Sequence, residues 1–169
     1  AIINLNKNDL IDFNKILNIN NKKLAEIIKS SGYHNQKAEK LKNFCEFLIK
    51  NYDADLGLLF KNNTEELRKQ LLSINGIGPE TADSIILYAA KKPIFVVDAY
   101  SKRIFNRIGF KEKTYDEFQR LFHENLPNSE KLFNEYHALL VELGKSTCKR
   151  LPLCGNCPIN MQCDYYKKL

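Results

Sequence analysis

Four of the five cysteines crowd the C-terminal end of the chain, with the spacing Cys148-x5-Cys154-x2-Cys157-x5-Cys163. Four soft thiolates on a short loop suit a [4Fe–4S] cluster or a zinc ion. Zinc ribbons commonly use two C-x2-C pairs. Only one pair occurs here, so the pattern leans toward iron–sulfur. The opening residues, AIINLNKNDL, lack a charged start followed by an apolar core and are not read as a signal peptide. A metal site is therefore the stronger reading of these cysteines than a disulfide framework. Cys45 stands apart on an apolar helical stripe and reads as a small buried hydrophobe.

A second stretch has the composition of a phosphate grip. Asn75-Gly76-Ile77-Gly78 joins a helix ending near Ser73 to one starting near Pro79. Gly76 and Gly78 permit positive φ or close backbone approach, and Pro79 suits a first helical position. The free N–H groups that open a helix can receive an anionic oxygen. A dinucleotide site needs a preceding strand and a third glycine, and a P-loop needs Gly-Lys-Ser/Thr; neither is present. Two readings remain: a helix–hairpin–helix holding a nucleic-acid phosphate, or a plain glycine link between packed helices.

The elements that must position these groups read as helices, with no convincing strand alternation. Apolar residues at helical spacing predict helices over Asp9–Leu17, Lys22–Ser30 and Gln36–Asn51. Thr64 reads as the cap of a helix carrying Leu67, Leu71 and Leu72, with Glu65 and Glu66 in its first turn. Ala82, Ile85, Ile86 and Ala89 mark the helix after the glycine turn. Phe95-Val96-Val97 is a short apolar run before Asp98, and a helix to about Ile108 follows. Thr114 to Glu117 fits a capping box opening a helix to Leu126. Ser129 can cap a helix to Leu143.

The fold class is thus all-α, a helical bundle, which the resemblance described next completes with a helix–hairpin–helix motif over 64–91 and a small C-terminal iron–sulfur loop. The expected organisation is a helical domain over 1–110 and a second region over 111–169 that carries the last helices and the cysteine loop. At 44% hydrophobic and 27% charged, with no apolar run long enough to span a bilayer, the chain reads as globular and intracellular, with no membrane partner. The net charge of +6 favours an acidic partner such as nucleic acid.

The stretches LLSINGIGPETADSIILYA (71–89) and PIFVVDAYSKRIFNRIG (93–109) resemble the helix–hairpin–helix and aspartate signature of the endonuclease III (HhH-GPD) family of DNA glycosylases. The likeness includes G-I-G-x-x-T-A at 76–82 and V-D-A-Y at 97–100. It continues through EYHALLVELGK at 135–145 into the four cysteines, which resemble that family's [4Fe–4S] loop, here one residue tighter in the first gap. It covers most of the chain from about Gly32. Family members carry further residues before the position of Ala1, and the chain has no initial Met, as in a fragment or processed chain.

The resemblance implies roles. Asp98 matches the family's catalytic aspartate, which would stabilise positive charge on the sugar or activate a water. Asn75, Gly76, Ile77, Gly78 and Thr81 would form the DNA-phosphate hairpin. Bifunctional members place a lysine where this chain has Glu80; a carboxylate cannot form a Schiff base. The motif is most similar to monofunctional members such as the 3-methyladenine glycosylases, with mismatch glycosylases as near relatives. The implied activity is excision of a damaged or mismatched base from double-stranded DNA, by a monomer, without strong lyase activity. The alternatives are a bifunctional glycosylase/lyase, for which Lys91, Lys92 or Lys102 would have to supply the amine, and a non-catalytic DNA-binding iron–sulfur module. Lys102, Arg103, Arg107, Lys145, Lys149 and Arg150 are candidate DNA-backbone contacts. Tyr88 is expected to pack, Tyr100 to pack or line the pocket, and His137 to pack rather than bind metal. His34 and His123 belong to no motif.

Overall fold

The computed structural model describes residues 1–169 and contains helices, turns and no β-strand. It comprises two compact units, Ala1–Gly78 and Pro79–Leu169.

The first unit is built on six helices: α1 (Ile2–Lys7), α2 (Phe13–Asn18), α3 (Asn21–Ile27), α4 (His34–Tyr52), α5 (Leu56–Phe60) and α6 (Thr64–Ser73). The 19-residue α4 is its spine, and α2 and α3 pack along it. Leu5, Leu10, Ile16, Leu24, Ala25, Ile28, Ala38 and Cys45 form one core. Each leucine or isoleucine taken out of water there contributes about 1.5–3 kcal/mol. Cys45 is fully buried, as its place on the stripe predicts, and burial pushes its thiol up to about 11.

Local capping sets the helix starts. Asp12 accepts from Lys15 N at 2.9 Å, so α2 begins at Phe13 and not at Asp9 as the periodicity predicts. Asn20 caps α3 and Asp55 caps α5. Asn63, not Thr64, caps α6, through a 2.9 Å bond from Glu66 N; Thr64 is the first helical residue. Beyond α6 the chain turns at Gly76, whose φ is +90. The stem of Lys40 lies across this turn, 2.6 Å from where a Cβ on Gly76 would sit. Asn43 Nδ2 donates to Asn75 O at 2.9 Å and steadies the same turn.

The second unit opens with α7 (Pro79–Ser84), which widens directly into a π-helical turn over Ile85–Ala89. An extended, buried segment follows, with Ile94, Phe95, Val96 and Val97 each at most 5% exposed. Then come α8 (Ala99–Ile108), α9 (Tyr115–Asn125) and α10 (Glu130–Ser146), the last packed on α8 and on the π turn. The capping box at Thr114 forms as its sequence predicts. Ser129 caps α10, which runs three residues past Leu143. The core is aromatic: Phe95 stacks on Phe122 at 3.6 Å between ring centroids and meets Phe133 edge-on at 5.6 Å. Three short 3-10 turns finish the chain.

Candidate active site

An extended segment between helices has no ladder to satisfy its backbone, and burial forbids water from doing so. Here α9 supplies the partners. His123 Nε2 accepts from Phe95 N at 3.1 Å, Gln119 Nε2 donates to Phe95 O at 2.8 Å, and the Tyr115 hydroxyl accepts from Val97 N at 3.4 Å. Behind them sits Asp83 of α7, fully buried. Its Oδ2 accepts from the Tyr115 hydroxyl and from Gln119 Nε2, both at 2.7 Å. The residue before α8 is therefore held by a network that runs from α7 through α9.

That residue is Asp98. It caps α8: Oδ1 accepts from Ser101 N at 2.7 Å and from Ser101 Oγ at 2.8 Å. Oδ2 faces His137 of α10, whose Nε2 stands 3.6 Å away, within ion-pair reach but too long for a direct hydrogen bond. The Asp98 side chain is 12% exposed. Burial pushes its carboxyl up, while His137 and the two Ser101 donors push it down. The downward effects win, and the carboxyl lies below the ordinary carboxylate range. Asp98 is thus an ionised carboxylate at the positive end of a helix.

His137 was not expected at this site. It packs, as its position predicts, on the buried stripe Phe133, His137, Leu140 and Gly144. It also joins Asp98 to a third residue: its Nδ1 shares a short hydrogen bond with the Tyr88 hydroxyl from the π turn. A histidine on an otherwise apolar helical stripe was the only sequence signal, and it does not say what lies opposite.

The two arginines of α8 turn toward the last segment of the chain. Arg103 donates to Gly144 O at 3.0 Å and to Cys148 O at 2.9 Å, closing the C-terminus of α10. Its guanidinium also lies over the Tyr100 ring at 5.1 Å. Tyr100 packs against Gly144, where any Cβ would collide with the ring. One turn on, Arg107 donates to Lys149 O at 2.6 Å, Arg150 O at 3.0 Å and Cys148 Sγ at 3.3 Å. Lys145, Lys149 and Arg150 are exposed.

Cys148, Cys154, Cys157 and Cys163 line one cavity, together with Arg107, Asn160, Tyr165 and Tyr166. All four are free thiols, and no group of three or more His, Cys, Asp or Glu side chains is arranged to hold a metal ion. The iron–sulfur part of the expected architecture is therefore not displayed. The donor set nonetheless fits a cluster. It is all sulfur, and a cluster binds each thiolate at a different iron, so its ligands surround a volume and do not meet at a point.

Glu80 lies exposed in the first turn of α7, where its backbone carbonyl accepts from Ser84 Oγ at 2.7 Å. Of the lysines near Asp98 in sequence, Lys91 is 3.8 Å from Glu130 and Lys102 lies 5.7 Å over the Tyr115 ring. The hairpin residues Asn75, Gly76, Gly78 and Thr81 are exposed, while Ile77 is buried.

A helical fold with a glycine turn leading to α7 and a capped, ionised aspartate opening α8 defines a class, that of the helix–hairpin–helix repair proteins. Residues 2–128 match the HhH-GPD superfamily of base excision DNA repair proteins, and the chain belongs to that family. It is 47% identical over 175 residues to a protein of Methanocaldococcus jannaschii assigned as a DNA repair glycosylase, covering 96% of this chain and 76% of that protein. It is 31% identical over 147 residues to endonuclease III of Thermotoga maritima, covering 86% of this chain and 64% of that protein, under two thirds of its length. The solved structure of H. pylori 3-methyladenine DNA glycosylase bound to 1,N6-ethenoadenine is similar, with a TM-score of 0.76 and 29% identity, over 85% of this chain and 74% of that one. No helix is long and apolar enough to cross a membrane.

Proposed function

We propose that this chain is a monofunctional DNA N-glycosylase, acting as an intracellular monomer on double-stranded DNA and excising an alkylated purine of the 3-methyladenine type. The observation that carries the reading is Asp98: an ionised carboxylate, fixed by Ser101 and faced by His137, in a family devoted to base excision.

The target base must leave the stack to reach Asp98, so base flipping precedes chemistry. Asn75, Gly76, Ile77, Gly78 and Thr81 grip a phosphate and position the strand without reading its sequence. Exposed Lys145, Lys149 and Arg150 add backbone contacts, as does Lys102. Arg103, engaged with carbonyl groups of its own chain, supports that surface from behind. As the N-glycosidic bond lengthens, positive charge grows on the sugar and the Asp98 carboxylate stabilises it. Water completes the hydrolysis and the base departs. An N3-alkylated adenine already carries positive charge and leaves with little protonation, so one carboxylate suffices. Glu80 stands where a lyase keeps its amine, and the Asp98 carboxylate meets Ser101 and His137, with no lysine ammonium among its contacts. These features support base release without strand cleavage.

Cys148, Cys154, Cys157 and Cys163 would hold a [4Fe–4S] cluster, whose contribution is to rigidify the loop bearing Lys149 and Arg150. A base-release profile on duplexes carrying 3-methyladenine, 7-methylguanine, uracil, a T·G mismatch or an oxidised pyrimidine tests the proposal. Preferential release of the alkylated purines supports it; release confined to oxidised pyrimidines, with strand cleavage, overturns it.

A further inference from the structure

His137 presents an unusual combination. The residue is 8% exposed, its Nε2 is fully shielded from solvent, and that nitrogen makes no direct hydrogen bond. Buried polar atoms are rarely left so. Its nearest charged neighbour is Oδ2 of Asp98, 3.6 Å away. The other nitrogen, Nδ1, is bonded to the Tyr88 hydroxyl. The imidazole is faced by Tyr88 from the π turn, by Asp98 from the start of α8 and by the Phe95 ring, edge-on, from the extended segment.

We propose that Tyr88 and His137 form a positioning pair for Asp98, in which the Tyr88 hydroxyl fixes the imidazole tautomer so that Nε2–H always points at Oδ2. The inference rests on the glycosylase reading above and extends it to two residues that do not touch the substrate.

Donors and acceptors around the imidazole leave one arrangement. The Tyr88 phenol is an ordinary protonated hydroxyl at neutral pH, and partial burial and the Asp98 charge push its pKa further up, so it donates to Nδ1 of a neutral imidazole. The hydrogen of that imidazole must then sit on Nε2, facing the carboxylate. If the imidazole is protonated, both nitrogens carry hydrogens, Tyr88 accepts, and Nε2–H still faces Oδ2. Ser101 holds Oδ1 with two donors, so with Nε2–H on the other side the carboxylate plane has no freedom to turn. The separation matters as well. At 3.6 Å the contact orients and ionises Oδ2 without drawing off the negative charge that the sugar needs in the transition state. The π turn has a purpose on this account: its wider winding places Tyr88 where it meets Nδ1, as such turns often do at functional sites.

The pair makes a prediction that simple packing does not. In Tyr88→Phe a neutral imidazole is free to put its hydrogen on Nδ1, which would leave a lone pair against Oδ2. A protonated imidazole has no such choice. The Tyr88→Phe defect should therefore be small at acid pH and grow as the pH rises. The test measures single-turnover base release across acid, neutral and mildly alkaline pH. It uses the full chain and whichever duplex of the panel above the wild type processes fastest, with wild type, Tyr88→Phe, His137→Phe and Asp98→Asn in parallel. Tyr88→Phe removes one oxygen from a partly exposed side chain, so it keeps the test alive if His137→Phe does not fold. The expected result is a Tyr88→Phe rate near wild type at the acid end and roughly tenfold lower at the alkaline end, with duplex affinity unchanged. His137→Phe should be roughly 10–100-fold slower throughout, as for other residues that orient a reacting group. A Tyr88→Phe profile parallel to wild type at every pH overturns the inference while leaving the glycosylase reading intact, provided Asp98→Asn is inactive. Retained release by Asp98→Asn overturns the reading itself, and the pair with it.

Discussion

Ser101 meets Asp98 twice, with its backbone N–H at 2.7 Å and its hydroxyl at 2.8 Å, both on the same oxygen. The serine is fully buried. The capping bond every helix start seeks is here doubled, and the doubled bond helps to keep the carboxylate charged. Capping and catalysis thus depend on one geometry. Ser101→Ala leaves the N–H and removes the hydroxyl. A hydrogen bond to a charged group is worth about 1.5–3 kcal/mol. Base release should fall roughly tenfold or more, and the acid limb of its pH profile should move to higher pH, readable in a single-turnover assay.

The same carboxyl shapes stability. Its native pKa lies below its unfolded value, so the stabilisation it gives is present at neutral pH and is lost as the pH falls through the native value. Chemical denaturation of wild type and Asp98→Asn from neutral to acid pH should show wild type losing more stability on acidification than the variant. Equal losses would mean that Asp98 is not held as described.

Asp83 is predicted to be a stability residue first. Its buried carboxylate accepts from Tyr115 and Gln119, which in turn hold the backbone ahead of Asp98. Asp83→Ala strands buried donors at about 1–3 kcal/mol each. The melting temperature should fall by several degrees, with a loss of activity that follows the loss of fold at rising temperature.

The periodic helices and the motifs were legible in the sequence; the partnerships were not. Ala38, Leu41, Cys45 and Leu48 announce α4 because helical spacing survives in any context. The short α1 and α5, six and five residues long, carry too few turns for a period to show. Asn63 rather than Thr64 caps α6 because both types cap well and only the backbone decides. The run Phe95-Val96-Val97 has the composition of a strand, yet no second strand pairs with it, and side chains from α9 satisfy it instead. Arg103 and Arg107 look like a solvated basic face until the carbonyls of residues 144 to 150 close over them. The Tyr88–His137 pair spans 49 residues, and nothing in either local sequence names the other.

Gly76 offers a separate test of the hairpin. At φ +90 an added Cβ is strained, by roughly 1–2 kcal/mol, and the Lys40 stem occupies the space it needs. Gly76→Ala should lower the melting temperature slightly and weaken duplex binding about equally across sequences, as loss of a phosphate contact does.

Cluster against zinc is decided by composition. The purified protein should contain iron and acid-labile sulfide in equal amounts, about four of each per chain, with visible charge-transfer absorbance. Cys154→Ser should reduce both. A single zinc per chain without sulfide would overturn the iron–sulfur assignment.

A carboxylate that releases a base, with no amine beside it to cut the strand, leaves an abasic site in an intact strand. The direct measurement follows free base and strand integrity in one single-turnover reaction, with borohydride added to trap any imine, for wild type and Asp98→Asn. The predicted result is base release by wild type with an intact abasic strand, no trapped adduct, and little or no release by Asp98→Asn. A covalent adduct that disappears on changing one lysine, or base release undiminished in Asp98→Asn, would contradict it.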